Sequence, residues 1–265
     1  MKIVTGSFSG VLRIFQPLSS QFNPSHLLLE RQLDEPILQV TVGRFTTGIP
    51  LTLAVLHPRA LCVYQISQPS LASDDAAPFL EMQKLFSHLI PHTAANMTSG
   101  QFGGTFGTDA ILVQAFDGQV YIFEGSQQFH TTFFEDFLVP GPIVYLPSTD
   151  SFITCSSAYE LQSYSYSSII QSSQVKSDVA AGASSQDLAK QKAPSPRWSL
   201  VMGELAVDLV LDQRQASKGH DSDIVVVGER TILICTQDGQ LKSQRRLDYH
   251  PAAAVSYRRA FPWEC

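Results

Sequence analysis

The residues of this chain whose types lend themselves to chemistry are few and scattered. The seven histidines are His26, His57, His88, His92, His130, His220 and His250. His88 and His92 have the i, i+4 spacing that puts two imidazoles on one helix face, but Pro91 interrupts any helix there. No His-Glu-x-x-His occurs, so the histidines are read as surface or hydrogen-bonded residues. The paired acids Asp74-Asp75 and Glu135-Asp136 sit in loop-like sequence. Spacing alone does not make either a general acid–base pair. Cys62, Cys155, Cys235 and Cys265 lie too far apart for a Cys-x-x-Cys metal or redox motif and are expected as reduced thiols.

Three glycine-rich or hydroxyl-rich segments imitate functional motifs. Gly6-Ser7-Phe8-Ser9-Gly10 resembles a nucleophile elbow, but its middle residue is Phe8 and it lies between two strand patterns. Gly100 to Gly107, GQFGGTFG, lacks the Gly-Lys-Ser/Thr of a phosphate loop and leads into a strand. It also lacks the several Asp or Asn side chains a calcium loop needs, since only Asp109 is acidic from Ser99 through Asp109. Asn96-Met97-Thr98 is a formal glycosylation sequon, expected to be unused. No Ser-x-Asp-x-Gly-x-Thr-Trp box is present. The reading nominates no catalytic, cofactor-binding or metal-binding residue and no cofactor, and the chain is expected not to be an enzyme.

The elements around these residues repeat. A strand–turn–strand unit occurs at 3–15, 51–66, 109–123, 150–166 and 223–236. Its turns centre near Gly10, Arg59, Asp117, Tyr159 and Arg230, at intervals of 49, 58, 42 and 71 residues. The last interval holds an insertion, 172–196. Without it the spacing matches the roughly 40–50 residues of a four-stranded propeller blade. Gly43-Arg44-Phe45 and Gly100-Gln101-Phe102 stand at the same distance before Leu53-Ala54-Val55 and Ala110-Ile111-Leu112. Asp117-Gly118 reads as a two-residue type I′ turn, and Asp238-Gly239 as the same device.

Val120–Phe123 and Ile224–Val227 are apolar on both faces, so they must be covered on both sides. Stacked blades do this without the helices that a parallel sheet requires. Leu38–Val42, Asn96–Ser99, Val144–Leu146 and Val207–Val210 read as inner strands. Leu28–Leu33, Phe79–Ile90 and Leu241–Leu247 read as outer ones. The insertion is rich in Ser, Ala, Gln and Lys and is expected to be a mobile loop, because it cannot bury enough surface to offset its ordering entropy. Gln68–Pro78 is a shorter loop of the same kind. The expected fold class is therefore all-β: one incomplete β-propeller domain over 1–265, with about five blade-like units.

Hydrophobic residues make up 44% of the 265, which is enough for a sizeable core. The net charge of −6 argues against a nucleic-acid partner. Lys242, Arg245, Arg246, Arg258 and Arg259 are read as solvated surface. Met1 to Val4 leads into a strand, not a signal peptide, and no apolar run reaches 18 residues, so no membrane insertion is expected.

Segments in order then resemble one family. They are KIVTGSFSGVLRIFQP, LLLERQLDEPILQVTVGRF, LTLAVLHPRALCVY, TAANMTSGQFGGTFGTDAILVQAFDGQVYIFE, FLVPGPIVYLPSTDSFITCSSAYELQSYSY and GERTILICTQDGQLKSQRRLDYHP. Across roughly residues 2 to 252 they resemble the N-terminal propeller of the ninth Bardet–Biedl syndrome protein family, subunits of the BBSome. The resemblance implies a non-catalytic scaffold of a coat-like complex that moves membrane proteins to and from the cilium. Its expected partners are other BBSome subunits and, indirectly, ciliary membrane-protein cargo. Its expected place is the cytoplasm, the cilium and the ciliary base or centrosome region. The family propeller has seven blades, residues before Met1 and a long C-terminal part, and SYRRAFPWEC departs from its continuation. The chain is thus expected to be a truncated form with open strand edges and poor solubility. A propeller-fold hydrolase and a calcium-dependent adhesion propeller are the alternatives.

Overall fold

Short β-branched and aromatic segments bounded by turn residues fold into antiparallel sheets in a computed structural model. It describes residues 2–17, 21, 23–68, 79–135, 139–179, 193–212 and 222–256. The first sheet holds β1 (Ile3–Gly6), β2 (Val11–Phe15) and β3 (Leu27–Gln32). The second holds β4 (Gln39–Gly43), β5 (Thr52–Leu56), β6 (Ala60–Ser67) and β7 (Glu81–Leu89). In the third are β8 (Ala94–Gly100), β9 (Ala110–Ala115), β10 (Gln119–Glu124) and β11 (Gln127–Phe133). The fourth comprises β12 (Ile143–Leu146), β13 (Ser151–Cys155), β14 (Glu160–Ser165) and β15 (Trp198–Val201). The fifth comprises β16 (Ala206–Asp212), β17 (Asp223–Gly228), β18 (Thr231–Cys235) and β19 (Leu241–Arg246). In every sheet the strands follow chain order. The expected inner strands are the first strands β4, β8, β12 and β16. The expected outer strands are the last strands β3, β7 and β19.

The chain divides into two units, Met1–Thr131 and Thr132–Cys265. In the first, alternate residues of β5 and β6 serve two cores. Leu53, Val55, Cys62 and Tyr64 pack with Leu12 and Ile37. Ala54, Leu56, Leu61 and Val63 pack with Met97, Ile111, Val113 and Tyr121. This is the physical reason those strands read as apolar on both faces. In the second unit, Ile153, Cys155 and Leu161 pack with Leu209, Ile224, Val226 and Leu233. At roughly 1.5–3 kcal/mol per fully buried large side chain, such stacking is the main stabilising term.

Two expectations are corrected. Asp117-Gly118 is not a type I′ turn. Ladder pairing puts Gln114 opposite Val120, which leaves Phe116, Asp117 and Gly118 as a three-residue loop. The Gly118 N–H donates to the Ala115 carbonyl, and of the two residues only Gly118 has positive φ, at 81°. That is a type I turn closed by a left-handed residue. Ser7–Gly10, Ser156–Tyr159 and Thr236–Gly239 repeat it, each with an N–H of its fourth residue donating to its first carbonyl. The second correction concerns the insertion. Helix α1 (Tyr166–Val179) runs over its first part, 172–179, where a loop was expected. Ile169 in its first turn is fully buried, and no Pro or Gly breaks the segment before Gly182. Residues 180–192 lie outside the described residues, as does most of the Gln68–Pro78 loop.

Candidate interaction site

Sheets of the first unit are tied by backbone-directed side chains. The Gln39 amide on β4 donates to the Met97 carbonyl on β8 at 2.8 Å and accepts from the Met97 N–H at 2.7 Å. Just past β4, the Arg44 N–H donates to the Asp109 carboxylate at 2.7 Å, and the Asp109 N–H donates to the Arg44 carbonyl at 2.7 Å. The repeated Gly-x-Phe element belongs to this joint. Phe45 and Phe102 are both buried plugs. The Phe45 N–H donates to the Thr52 hydroxyl, which donates to the Gly43 carbonyl. A Cβ at Gly43 would stand 2.6 Å from the Phe45 ring, so only glycine lets the plug close.

In the second unit the Trp198 indole N–H donates to the Gln237 carbonyl at 2.9 Å. Its ring covers Gly239, where a Cβ would come within 2.5 Å of the indole.

A pocket of about 250 Å³ opens where the end of β3 and the linker after it meet β6 and β7. Its wall includes His57, Tyr64, Met82 and Leu33. His57 is 3% exposed, and its Nδ1 shares a hydrogen bond with the Pro36 carbonyl at 2.9 Å. A carbonyl only accepts, so Nδ1 carries the proton. Burial pushes the Tyr64 phenol well above its ordinary value, and the neighbouring Cys62 thiol adds to that. Burial raises the Cys62 thiol too, and Lys84 partly offsets it. Four charges, Arg31, Asp34, Glu35 and Lys84, stand exposed around the opening. No ion pair joins any two of them among the described residues.

The motif-like residues do not converge. Ser7 and Gly10 form a hairpin turn, with the Ser7 hydroxyl accepting from the Val11 N–H. GQFGGTFG forms a tight turn at Phe102–Gly104 ahead of β9, with Gly103 and Gly104 at φ of 65° and 71°. His88 binds the Gly125 carbonyl and stacks on Phe123 at 4.5 Å, while His92 pairs with Asp117 at 2.9 Å. The His250 ring bonds the Glu229 carbonyl and the Arg230 guanidinium. His26 is buried, and the Asn96 side-chain oxygen is buried within β8. Lys242, Arg245 and Arg246 are exposed on β19, with Lys242 paired to Asp223 at 2.5 Å. Cys62, Cys155 and Cys235 are free thiols, and burial pushes Cys155 up to about 12 and Cys235, beside Asp223, up to about 11. Asp74, Asp75, Asp136, His220, Arg258, Arg259 and Cys265 lie outside the described residues.

Sequence reasoning missed two features. The pocket draws on residues far apart in the chain, none of them unusual where it stands. The second is a pair of exposed aromatics, Phe8 at 77% and Phe116 at 54%, each the first residue of its three-residue loop. A Phe immediately before a Ser-Gly or Asp-Gly turn end was a legible signal for these.

Comparison with known proteins places this geometry. The chain is 37% identical over 266 residues to protein PTHB1 of Mus musculus and 36% identical over 261 residues to that of Homo sapiens. The match takes in 97% of this chain but 29% of each relative, so the chain spans under a third of their length. A homologue in Caenorhabditis elegans is 25% identical over 257 residues. Among solved structures, BBS1N in complex with ARL6DN is similar, with a TM-score of 0.61 at 12% identity, over 95% of this chain and 65% of that one. Sqt1 of Saccharomyces cerevisiae gives 0.61 at 11% identity, over 97% of this chain and 63% of that one. These likenesses speak for the fold, which is β-propeller-like and all-β. The family model described as PTHB1 N-terminal matches residues 1–264, and the chain belongs to that family, the one its ordered segments pointed to.

Proposed function

We propose that the chain is a non-catalytic scaffold that assembles with BBSome subunits and serves the traffic of ciliary membrane proteins through that complex. The observation that carries this reading is the pairing of family membership with the architecture. The chain matches PTHB1 over almost its whole length. Its chemistry-bearing residues are spent on turns, plugs and inter-sheet clips. One solved neighbour of similar fold is itself held in a protein complex, BBS1N with ARL6DN. That supports protein binding as the use of the fold. Cargo contacts follow indirectly, through the assembled complex, and the site of action is the cytoplasm, the ciliary base and the cilium.

The test is affinity capture of the tagged chain from ciliated cells, with quantitative mass spectrometry and a scrambled-loop control. The scaffold reading expects several BBSome subunits enriched together at similar levels. Recovery of none of them, with the chain folded by circular dichroism, would contradict it.

A further inference from the structure

We propose that the free edge of β19 docks an extended acidic protein segment as one more strand of the fifth sheet. β19 is the last strand of that sheet, with β18 as its one ladder partner there. All six of its side chains are exposed. The Leu247 N–H donates inward to the Arg230 carbonyl at 2.7 Å. Arg246 then pairs with Thr231, Arg245 with Ile232 and Gln244 with Leu233, without a register shift. In an antiparallel ladder the direction of bonding alternates from one residue to the next. Arg245 therefore bonds inward like Leu247, and Gln244 and Arg246 turn their N–H and C=O outward. Those groups take no partner among the described residues. They are the template on which an extended segment adds to a sheet.

The charge of the strand selects the occupant. Lys242, Arg245 and Arg246 are its charged residues, and all are basic. Lys242 is spent on Asp223 at 2.5 Å, whereas neither arginine has an ion pair among the described residues. Adjacent strand residues point to opposite faces, so the two arginines flank the edge, one on each side. The other last strands differ. β3 sets Glu30 beside Arg31 and β7 carries Glu81 and Lys84, while β11 and β15 hold no Asp, Glu, Lys or Arg. The basic edge thus stands out in a chain of net charge −6. Charges on an edge guard it against apolar or like-charged strands. The same two cations admit a strand that brings adjacent carboxylates, one to each face. An anionic lipid surface meets the cations but offers no donors in register to the outward carbonyls. The inference rests on the scaffold reading only in taking the occupant to be protein.

The test is fluorescence anisotropy of a labelled, capped peptide, Thr-Val-Glu-Glu-Val-Thr, titrated with the full chain. Two comparison peptides replace Glu-Glu by Gln-Gln or Lys-Lys. A third, Thr-Pro-Glu-Glu-Pro-Thr, keeps the charge but loses a backbone donor on each of its edges. The Glu-Glu peptide is expected to bind saturably, with a Kd on the order of 0.1–1 mM. The Gln-Gln peptide should bind about 5-fold more weakly, for want of two exposed ion pairs. The proline peptide should not saturate. Arg245→Glu combined with Arg246→Glu should lose the Glu-Glu peptide and gain the Lys-Lys peptide, because like charges now face the former and opposite charges the latter. Lys242→Ala should change the affinity less than about 2-fold, since that ammonium already serves Asp223. If the double variant does not fold, the peptide series on the unchanged chain decides.

No saturation by the Glu-Glu peptide, equal binding of the Gln-Gln peptide, or indifference to the double charge reversal would overturn the site. Equal binding of the proline peptide would overturn the added strand. Capture of phosphatidylserine vesicles by a chain that ignores the Glu-Glu peptide would overturn the protein occupant in favour of a lipid surface. Peptide binding is independent of assembly. A chain that captures BBSome subunits but binds no peptide loses only this inference. A chain that binds the Glu-Glu peptide but captures no subunit loses only the scaffold reading.

Discussion

Gln39 and Met97 exchange two hydrogen bonds across neighbouring sheets, amide to carbonyl at 2.8 Å and N–H to amide oxygen at 2.7 Å. A side-chain amide thus stands in for a strand, capping the outward N–H and C=O of a buried residue on β8. Stacked sheets leave the backbone of each first strand without a ladder partner on one side, and Gln39 supplies it at this point.

Gln39→Ala should therefore cost about 1–3 kcal/mol, because both Met97 groups lose their partner. Urea unfolding followed by circular dichroism checks this. An unchanged midpoint would mean that the clip adds nothing.

One of the four three-residue turns lacks the glycine that closes the other three. Gly10, Gly118 and Gly239 hold φ of 85°, 81° and 78°, but Tyr159 holds 63° in the same place. A non-glycine residue there costs about 1–2 kcal/mol. Tyr159 is 45% exposed, so little packing is lost with its ring. Tyr159→Gly should raise stability by about 1 kcal/mol, and Gly118→Ala should lower it by a similar amount. Thermal melts of the two variants give the signs.

Gly239→Ala drives a Cβ to 2.5 Å from the Trp198 ring at a φ of 78°. The expected cost is about 1–3 kcal/mol, together with loss of the indole bond to Gln237. In a Trp263→Phe background, which leaves Trp198 as the sole tryptophan, the fluorescence should shift to the red. An unshifted spectrum would show that the ring does not cover this turn.

The hairpins were legible because apolar runs flanked by turn residues have few other uses, as at Val120–Phe123 beside Asp117-Gly118. Their turn type was not. It depends on whether Ala115 pairs with Gln119 or Phe116 with Gln119, and the dipeptide alone does not decide the register. The Gly-x-Phe repeat was legible as a repeat. Its packing, with Phe45 and Phe102 both buried and the Phe45 ring closed over Gly43, needed the fold. The helix over 172–179 escaped notice because its composition is polar and Ile169, the buried anchor among its described side chains, lies just outside the segment that read as an insertion. The pocket beside His57 was invisible to spacing: Arg31 to Glu35 and His57 to Lys84 meet only because β3, β6 and β7 end side by side.

Burial raises Cys155 to about 12 and Cys235 to about 11. The unfolded chain ionises these thiols near 9, whereas the folded chain holds their protons. Their contribution to stability is thus intact below pH about 9 and is lost progressively as pH rises from there towards about 12. The melting temperature should fall across that alkaline range, and Cys155→Ala should make the fall shallower. At pH 8 both thiols should resist a thiol-disulfide reagent until denaturant is added.

The central claim is that this chain is a protein-binding scaffold of the PTHB1 kind. Its most direct test is reconstitution of the purified chain with recombinant BBSome subunits, read by size-exclusion chromatography with light scattering. The account predicts co-elution of the chain with at least one subunit at a fixed one-to-one molar ratio that dilution does not shift. Separate elution of a folded chain from every subunit offered would contradict it.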